Sequence, residues 1–341
     1  METPAIYNLK DAPPVPGLVF RAYRGPADLG GMAAVHAWSK EQDKIDPLSS
    51  RDYLPTLADL ERDYAGLEPG NPNFLLIEVN GQIVGYNKID WWTEAKDGQV
   101  YLHSGWLLPE WRGKGIGRAA WRWSQNRARQ LATEQGLTPG SKAVLATNSS
   151  TTEPEKETLA INEGYTLVRN LSDMKFDDFA RLESLSATLP AGVAVRPVAP
   201  EHFPAIYAAL KEARLGMFGE GPVNEADYQN FLNHAVRTDH FSPDLWRIAW
   251  AGDEVVSLVL NYPNRNGSGV VDEVATRTGW RRRGISYALM LDSLQEFGRR
   301  GLSQARLFTT ADDEKGARSL YERLGFQEVK QHHLYRRPLW N

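Results

Sequence analysis

Apolar residues along this chain fall in short alternating or continuous runs bounded by turn residues, and the same succession of runs occurs twice. FLLIEVN (74–80), Gly81-Gln82 and IVGYNKID (83–90) predict two strands around an Asn-Gly hairpin turn. LWRIAW (245–250), AGDE and VVSLVLN (255–261) predict the same arrangement again. A stretch of helical period lies downstream of each hairpin. In the first, Ile116, Ala119, Ala120, Trp123 and Leu131 share a face with Arg127; in the second, Ile285, Ala288 and Leu289 form a stripe that Asp292 interrupts. AVLAT (143–147) and ARLFT (305–309) read as the strands that follow the helices.

Segment 99–117, QVYLHSGWLLPEWRGKGIG, aligns with 268–286, SGVVDEVATRTGWRRRGIS, at an offset of 169 residues, stacking Trp111 on Trp280, Arg112 on Arg281 and Gly115 on Gly284. Each half therefore predicts helices, a strand hairpin, a long strand, a Gly-rich turn, a helix and a final strand–helix–strand unit. That is an α/β (α+β) domain occurring twice. Each sheet is expected to be mixed, mainly antiparallel and flanked by helices, because its first three strands are joined too closely for parallel crossovers. The domains are expected at 1–176 and 192–341, opening on GLVFRAY and VAVRPV, with polar residues 177–191 as a linker.

Composition removes several function classes. The 341 residues are too many for one ordinary core, and 39 basic against 43 acidic side chains leave a net charge of −4, which weighs against a general nucleic-acid binder. The absence of cysteine excludes disulfides, thiolate zinc sites, iron–sulfur clusters and thiol nucleophiles. The seven histidines form no metal-ligand spacing, so no metal is expected. No apolar run approaches the roughly 18 residues of a membrane span, and the first twenty residues do not read as a secretory signal. A cytoplasmic protein with no membrane or nucleic-acid partner is expected, and the tryptophan clusters and Arg281–Arg283 do not outweigh that charge balance.

The chemistry concentrates in Arg112-Gly113-Lys114-Gly115-Ile116-Gly117, which follows a strand and opens a helix. Glycine lets backbone N–H groups approach a ligand, and the helix N-terminus adds about half a positive charge to those of the side chains. The turn reads as a pyrophosphate cradle, with a solvated basic loop as the plain alternative; its recurrence favours the cradle. The third glycine of a dinucleotide fingerprint is replaced by Arg118, and no Gly-Lys-Ser/Thr closes a P-loop.

These residues resemble the signature of the GNAT superfamily of acyl-CoA-dependent N-acyltransferases, Arg/Gln-x-x-Gly-x-Gly/Ala. RGKGIG matches fully and RRRGIS carries Ser286 at the final small position. ARSLYERLGF (317–326) is similar to a further helix of that superfamily. The resemblance spans about 17–176 and 192–337 and implies a tandem protein similar in architecture to mycothiol synthase and related two-domain acetyltransferases. It implies that backbone groups of Trp106, Leu107 and Leu108, and of Val274, Ala275 and Thr276, would meet the pantetheine arm and the thioester oxygen. The diphosphate would lie on Arg112, Gly113, Lys114, Gly115, Ile116, Gly117 and Arg118, and on Arg281, Arg282, Arg283, Gly284, Ile285, Ser286 and Tyr287.

Tyr321 matches the tyrosine that protonates the departing thiolate, whereas Ala160 stands opposite it in the first half. Glu314 stands where asparagine is frequent, and a polar stretch, 148–157, precedes the last helix of the first half. Base candidates lie nine residues ahead of each turn arginine: His103, and Asp272 with its neighbour Glu273. Only one of those neighbours can face the acceptor, because strand neighbours alternate. The resemblance implies acetyl-CoA as co-substrate, a small-molecule amine as acceptor, direct attack in a ternary complex and chemistry in the second domain, the protein being a monomer or homodimer. The alternatives are a non-catalytic acyl-CoA-binding sensor and an acetyltransferase acting on a protein amine.

Overall fold

The computed structural model describes residues 5–46, 48–49, 54–217, 220–221, 223–264, 266–311 and 316–340. The chain runs β1 (Leu18–Arg21), α1 (Leu29–Gln42), α2 (Leu57–Asp63), β2 (Phe74–Val79), β3 (Gln82–Glu94), β4 (Gly98–Leu107), α3 (Ile116–Glu134), β5 (Ala143–Ser150), α4 (Pro154–Asn162) and β6 (Thr166–Phe176). It continues through β7 (Val193–Arg196), α5 (Phe203–Arg214), α6 (Glu225–Phe231), β8 (Arg247–Ala251), β9 (Glu254–Pro263), β10 (Gly269–Thr276), α7 (Ile285–Arg299), β11 (Ala305–Thr310), α8 (Ala317–Leu324) and β12 (Gln327–Pro338). Among the described residues no helix is long and apolar enough to cross a membrane.

Two compact units result. The first takes Met1–Pro47, Arg51–Arg169 and His333–Asn341; the second takes Leu48–Ser50 and Asn170–His332. Set against the boundaries read at 176 and 192, the last nine residues therefore belong to the first unit and residues 170–176 to the second. The local cause is strand pairing. Residues Leu171–Phe176 of β6 pair antiparallel with β11, while the backbone N–H of Leu339 bonds to Ala143 O at 3.1 Å at the start of β5. The segment 177–191 is no solvated spacer: Phe179–Ser184 form a 3₁₀ turn that buries Leu182, and Phe179, Leu185 and Leu189 pack on the same core.

In the first unit β1, β2, β3 and β4 pair antiparallel in order and β5 joins β4 in parallel; in the second, β7, β8, β9 and β10 do the same and β11 joins β10. The mixed, mainly antiparallel sheet expected twice is present twice. The hairpin at Asn80-Gly81 forms because both residues accept the left-handed region, with φ of 51° and 81°. Arg127, which interrupts the apolar face of α3, is buried and satisfied by both carboxylate oxygens of Glu134 at 2.7 and 2.8 Å.

The repeat extends to buried polar atoms. Asn87 on β3 donates to Ser124 Oγ on α3 at 3.1 Å, and Ser124 donates to Ala120 O. In the second unit Asn261 on β9 donates to Ser293 Oγ on α7 at 2.9 Å, and Ser293 donates to Leu289 O. Pairing the amide N–H with the serine hydroxyl inside an apolar layer fixes the helix against the hairpin.

What positions the site is the end of parallel pairing. β4 and β5 are in register from Gln99–Ala143 to Leu102–Ala146, and β10 and β11 from Gly269–Ala305 to Val271–Leu307. Beyond those points β4 and β10 stay with their antiparallel neighbours, which opens a wedge beside the last residues of each. A bulge at Asp272, between Val271 and Glu273, sharpens the departure in the second unit.

Candidate active site

Each wedge leads to a Gly-rich turn. In the first unit a 3₁₀ turn at Pro109–Trp111 passes into residues 112–115, where Gly113 and Gly115 take φ of 71° and 86° and α3 begins. The equivalent positions in the second unit are Arg282, at φ 62°, and Gly284, at φ 76°, before α7. Both turns thus present the free N–H groups of a helix N-terminus to one side. Ser286 does not damage the second turn. A Cβ on its counterpart Gly117 would meet Leu107 and Leu159 only at 3.9 and 4.0 Å, and the Ser286 hydroxyl lies 2.6 Å from that of Thr276.

The first arginine of each motif is turned away from the cradle. Arg112 donates to both oxygens of Asp43 at 2.6 and 3.0 Å and to Leu107 O at 3.2 Å, tying the end of β4 to the segment after α1. Arg281 donates to Thr276 O at 3.1 Å and to Ala213 O near the end of α5 at 3.0 Å. Exposed cations beside the turns are Lys114, stacked over Trp111, and Arg118 in the first unit, with Arg282 and Arg283 in the second, Arg283 lying over Trp280.

The first wedge opens into a cavity of about 620 Å³ whose walls include His103, Trp106, Leu107, Gly113, Gly117 and Arg118. Leu108 is buried below it, with its N–H committed to Val84 O at 2.8 Å. His103 hydrogen-bonds through Nε2 to the Tyr165 hydroxyl at 2.7 Å and packs edge-on against Trp121. Burial, with help from the Lys156 charge, lowers its pKa to about 3, so the ring is neutral. The stretch 148–157 is the end of β5, a turn and the first turn of α4. Ala160 is fully packed in the core, and Ser104 stands at the position that Glu273 occupies in the second copy.

In the second unit Val274, Ala275 and Thr276 pair with Val259, Leu258 and Ser257 of β9. Glu273 is half-buried, and its Oε1 accepts from Arg214 Nη1 at 2.5 Å. Desolvation raises its pKa to about 7, opposed by Arg214 and reinforced by Asp272 and Glu220. Asp272, at the bulge, is exposed. Tyr321 on α8 is 6% exposed, packs on Phe326, and has its pKa raised by burial and then by the Glu273 charge. Glu273 and Tyr321 are therefore close enough to sense each other. Tyr287 lies under the Arg323 guanidinium. Glu314 lies outside the described residues. Arg214 and Glu220, which surround Glu273, carry no motif; the apolar period of α5 could place Arg214 at its end but not against β10. Among the described residues no three potential ligands cluster around a metal position.

A family model described as the acetyltransferase (GNAT) family matches residues 34–139 and again 203–326. A mycothiol acetyltransferase of Streptomyces avermitilis is 27% identical over 296 residues, which cover 86% of this chain and 89% of that protein. A second, from Streptomyces scabiei, is 28% identical over 267 residues, covering 77% and 79%. A GCN5-related N-acetyltransferase from Sphaerobacter thermophilus shares the fold with a TM-score of 0.74 at 23% identity, covering 94% and 96% of the two chains. A tandem GNAT protein from the clavulanic acid biosynthesis pathway does so with a TM-score of 0.65 at 13% identity, covering 95% and 99%.

Proposed function

We propose, from the premise that the chain belongs to the acetyltransferase (GNAT) family and is a tandem acyl-CoA-dependent N-acetyltransferase, that its acyl donor is acetyl-CoA, its acceptor a small-molecule primary amine, and its chemistry that of the second unit. The observation that carries this reading is that the second unit holds both Glu273, at the end of its wedge strand, and a buried Tyr321 that feels the Glu273 charge, where the first copy has Ser104 and Ala160.

The acceptor arrives as an ammonium and must lose a proton before it attacks. Glu273, a carboxylate whose proton affinity burial has increased, takes that proton. Backbone groups of Val274–Thr276 face the thioester oxygen as charge develops on it. As the new C–N bond forms and the C–S bond breaks, the Tyr321 phenol, kept protonated by burial, gives its proton to the leaving thiolate, and the second proton shed by the new amide nitrogen restores the phenol. Asp272, exposed at the bulge, stays outside this transfer. The first unit binds acetyl-CoA in its cavity and lacks the acid–base pair. The Streptomyces mycothiol acetyltransferases make their acceptor the first amine to include in a screen.

The test is CoA-thiol release over a panel of amines, with Glu273→Gln and Tyr321→Phe beside His103→Ala. The first two should lower kcat by about 10²–10⁴ with little change in CoA affinity. His103→Ala should turn over near the wild-type rate. A His103→Ala enzyme that is dead, beside an unimpaired Tyr321→Phe, would move the chemistry to the first unit.

A further inference from the structure

We infer that Arg214 is a positioning residue for this transfer, anchoring one oxygen of the Glu273 carboxylate so that the other stays ionised and open to the acceptor's proton. The inference rests on Glu273 being the base. Arg214 is the last residue of α5, and its fork divides between two carboxylates: Nη1 lies 2.5 Å from Glu273 Oε1 and Nε lies 2.9 Å from Glu220 Oε2. Among the described residues Glu273 Oε2 receives no hydrogen bond. One oxygen is thus held by a charged donor and the other is left to react.

The groups around Glu273 make that anchor necessary. Asp272 adds negative charge from its own strand, Glu220 adds it from the segment after α5, and the Tyr321 phenol on α8 feels the Glu273 charge. Glu220 is itself held by Lys211, which also contacts Asp227 of α6 at 2.7 Å. In this half-buried crowd of acids a carboxylate without its own counter-charge retains its proton near neutral pH and cannot act as a base. Arg214 opposes this, and Glu220 limits the opposition by sharing the guanidinium and adding negative charge. A rigid bidentate donor suits two acids at once better than a single ammonium does.

The two neighbours should move the same titration in opposite directions, which a purely structural role would not do. The experiment is the pH profile of kcat/KM, with acetyl-CoA and the best amine of the screen, for wild type, Arg214→Met, Arg214→Lys, Glu220→Gln and Glu273→Gln. Arg214→Met should move the acid limb up by about one unit, giving about a tenfold loss below the limb and recovery in alkali. Glu220→Gln should move it down, and Arg214→Lys should restore most of the wild-type profile. Should Arg214→Met fail to fold, the other two still decide the matter: a near-wild-type limb in Arg214→Lys beside a lowered limb in Glu220→Gln supports the role, and an unmoved limb in Glu220→Gln overturns it. Unmoved limbs in Arg214→Met and Glu220→Gln, with Glu273→Gln inactive, would overturn the role of Arg214 and leave Glu273 as base. A wild-type acid limb in Glu273→Gln would remove the base itself, and the inference with it.

Discussion

Replacing Arg112 by alanine separates two roles that its motif leaves open. As a diphosphate ligand it would contribute a charge-assisted bond of about 1.5–3 kcal/mol, so its loss would weaken CoA binding at the first turn by about 10- to 150-fold. The structure gives it another task, two short bonds to Asp43 and one to Leu107 O, with the two side chains 22% and 11% exposed. Exposed ion pairs contribute about 0–1 kcal/mol, whereas breaking a fully buried one costs about 3–5; this partly covered bidentate pair lies between, at about 2 kcal/mol. For a unit of this size that corresponds to a melting point lower by about 4–8 °C. Asp43→Ala should destabilise comparably, and the double variant should show coupling of about 1–2 kcal/mol in the cycle. Thermal and urea unfolding supply the stabilities, and calorimetric titration supplies the CoA affinity, which should fall by less than about threefold. An Arg112→Ala protein with an unchanged melt and a tenfold weaker CoA site would refute the reasoning.

The other expectations follow from the same atoms. Ser286→Gly and Gly117→Ser should each leave CoA affinity within about twofold, since the extra atoms meet only ordinary contacts; titration of either variant showing a tenfold loss would count against this. Arg282→Gly should raise stability by about 0.5–1 kcal/mol in urea unfolding, because it relieves a side chain held at φ 62° against the chain entropy that glycine adds. His103 stays neutral in the fold down to about pH 3 but takes a proton near pH 6.5 when unfolded. Its environment therefore favours folding fully above pH 6.5, and acidification below that should remove about 1.4 kcal/mol per unit until pH 3. His103→Gln should flatten the urea midpoint between pH 4.5 and 6.5; an unaltered slope would show that another group titrates.

The hairpins, the two Gly-rich turns and the repeat of strand and helix were legible because each depends on local rules: alternation, an Asn-Gly pair, glycine at positive φ before a helical stripe. Even Arg127 in the stripe of α3 has a local answer, in Glu134 seven residues on. What could not be read were long-range choices. Nothing in the apolar pattern of 166–176 says that residues 171–176 pair with β11. Phe179, Leu182, Leu185 and Leu189 sit among enough polar residues to mimic a linker, yet their spacing of three to four places all of them on one core. The motif arginines face the same limit: charge in a glycine turn suggests an anion, and only the position of Asp43, 69 residues earlier, shows where the guanidinium goes. Glu273 was visible beside Asp272, but the bulge that distinguishes them was not.

The two copies keep the same turn and differ in proton affinity at the wedge, and that difference can be put on one scale. An aliphatic ammonium acceptor has a pKa near about 10. Glu273, raised to about 7, lies about three units below it, whereas His103, lowered to about 3, lies about seven below. At about 1.4 kcal/mol per unit, moving the proton to His103 costs about 5 kcal/mol more than moving it to Glu273, on the order of 10³–10⁴ in rate if all of it reaches the barrier. Ala160 adds a second deficit, since nothing at that position can protonate the thiolate. The same burial that makes His103 a good partner for Tyr165 thus makes it a poor base, while Glu273 keeps its proton affinity near neutrality because Arg214 offsets part of its desolvation. On the proposed assignment, the first-unit cavity would bind acetyl-CoA beside a base too weak to pass its acetyl group on at a comparable rate.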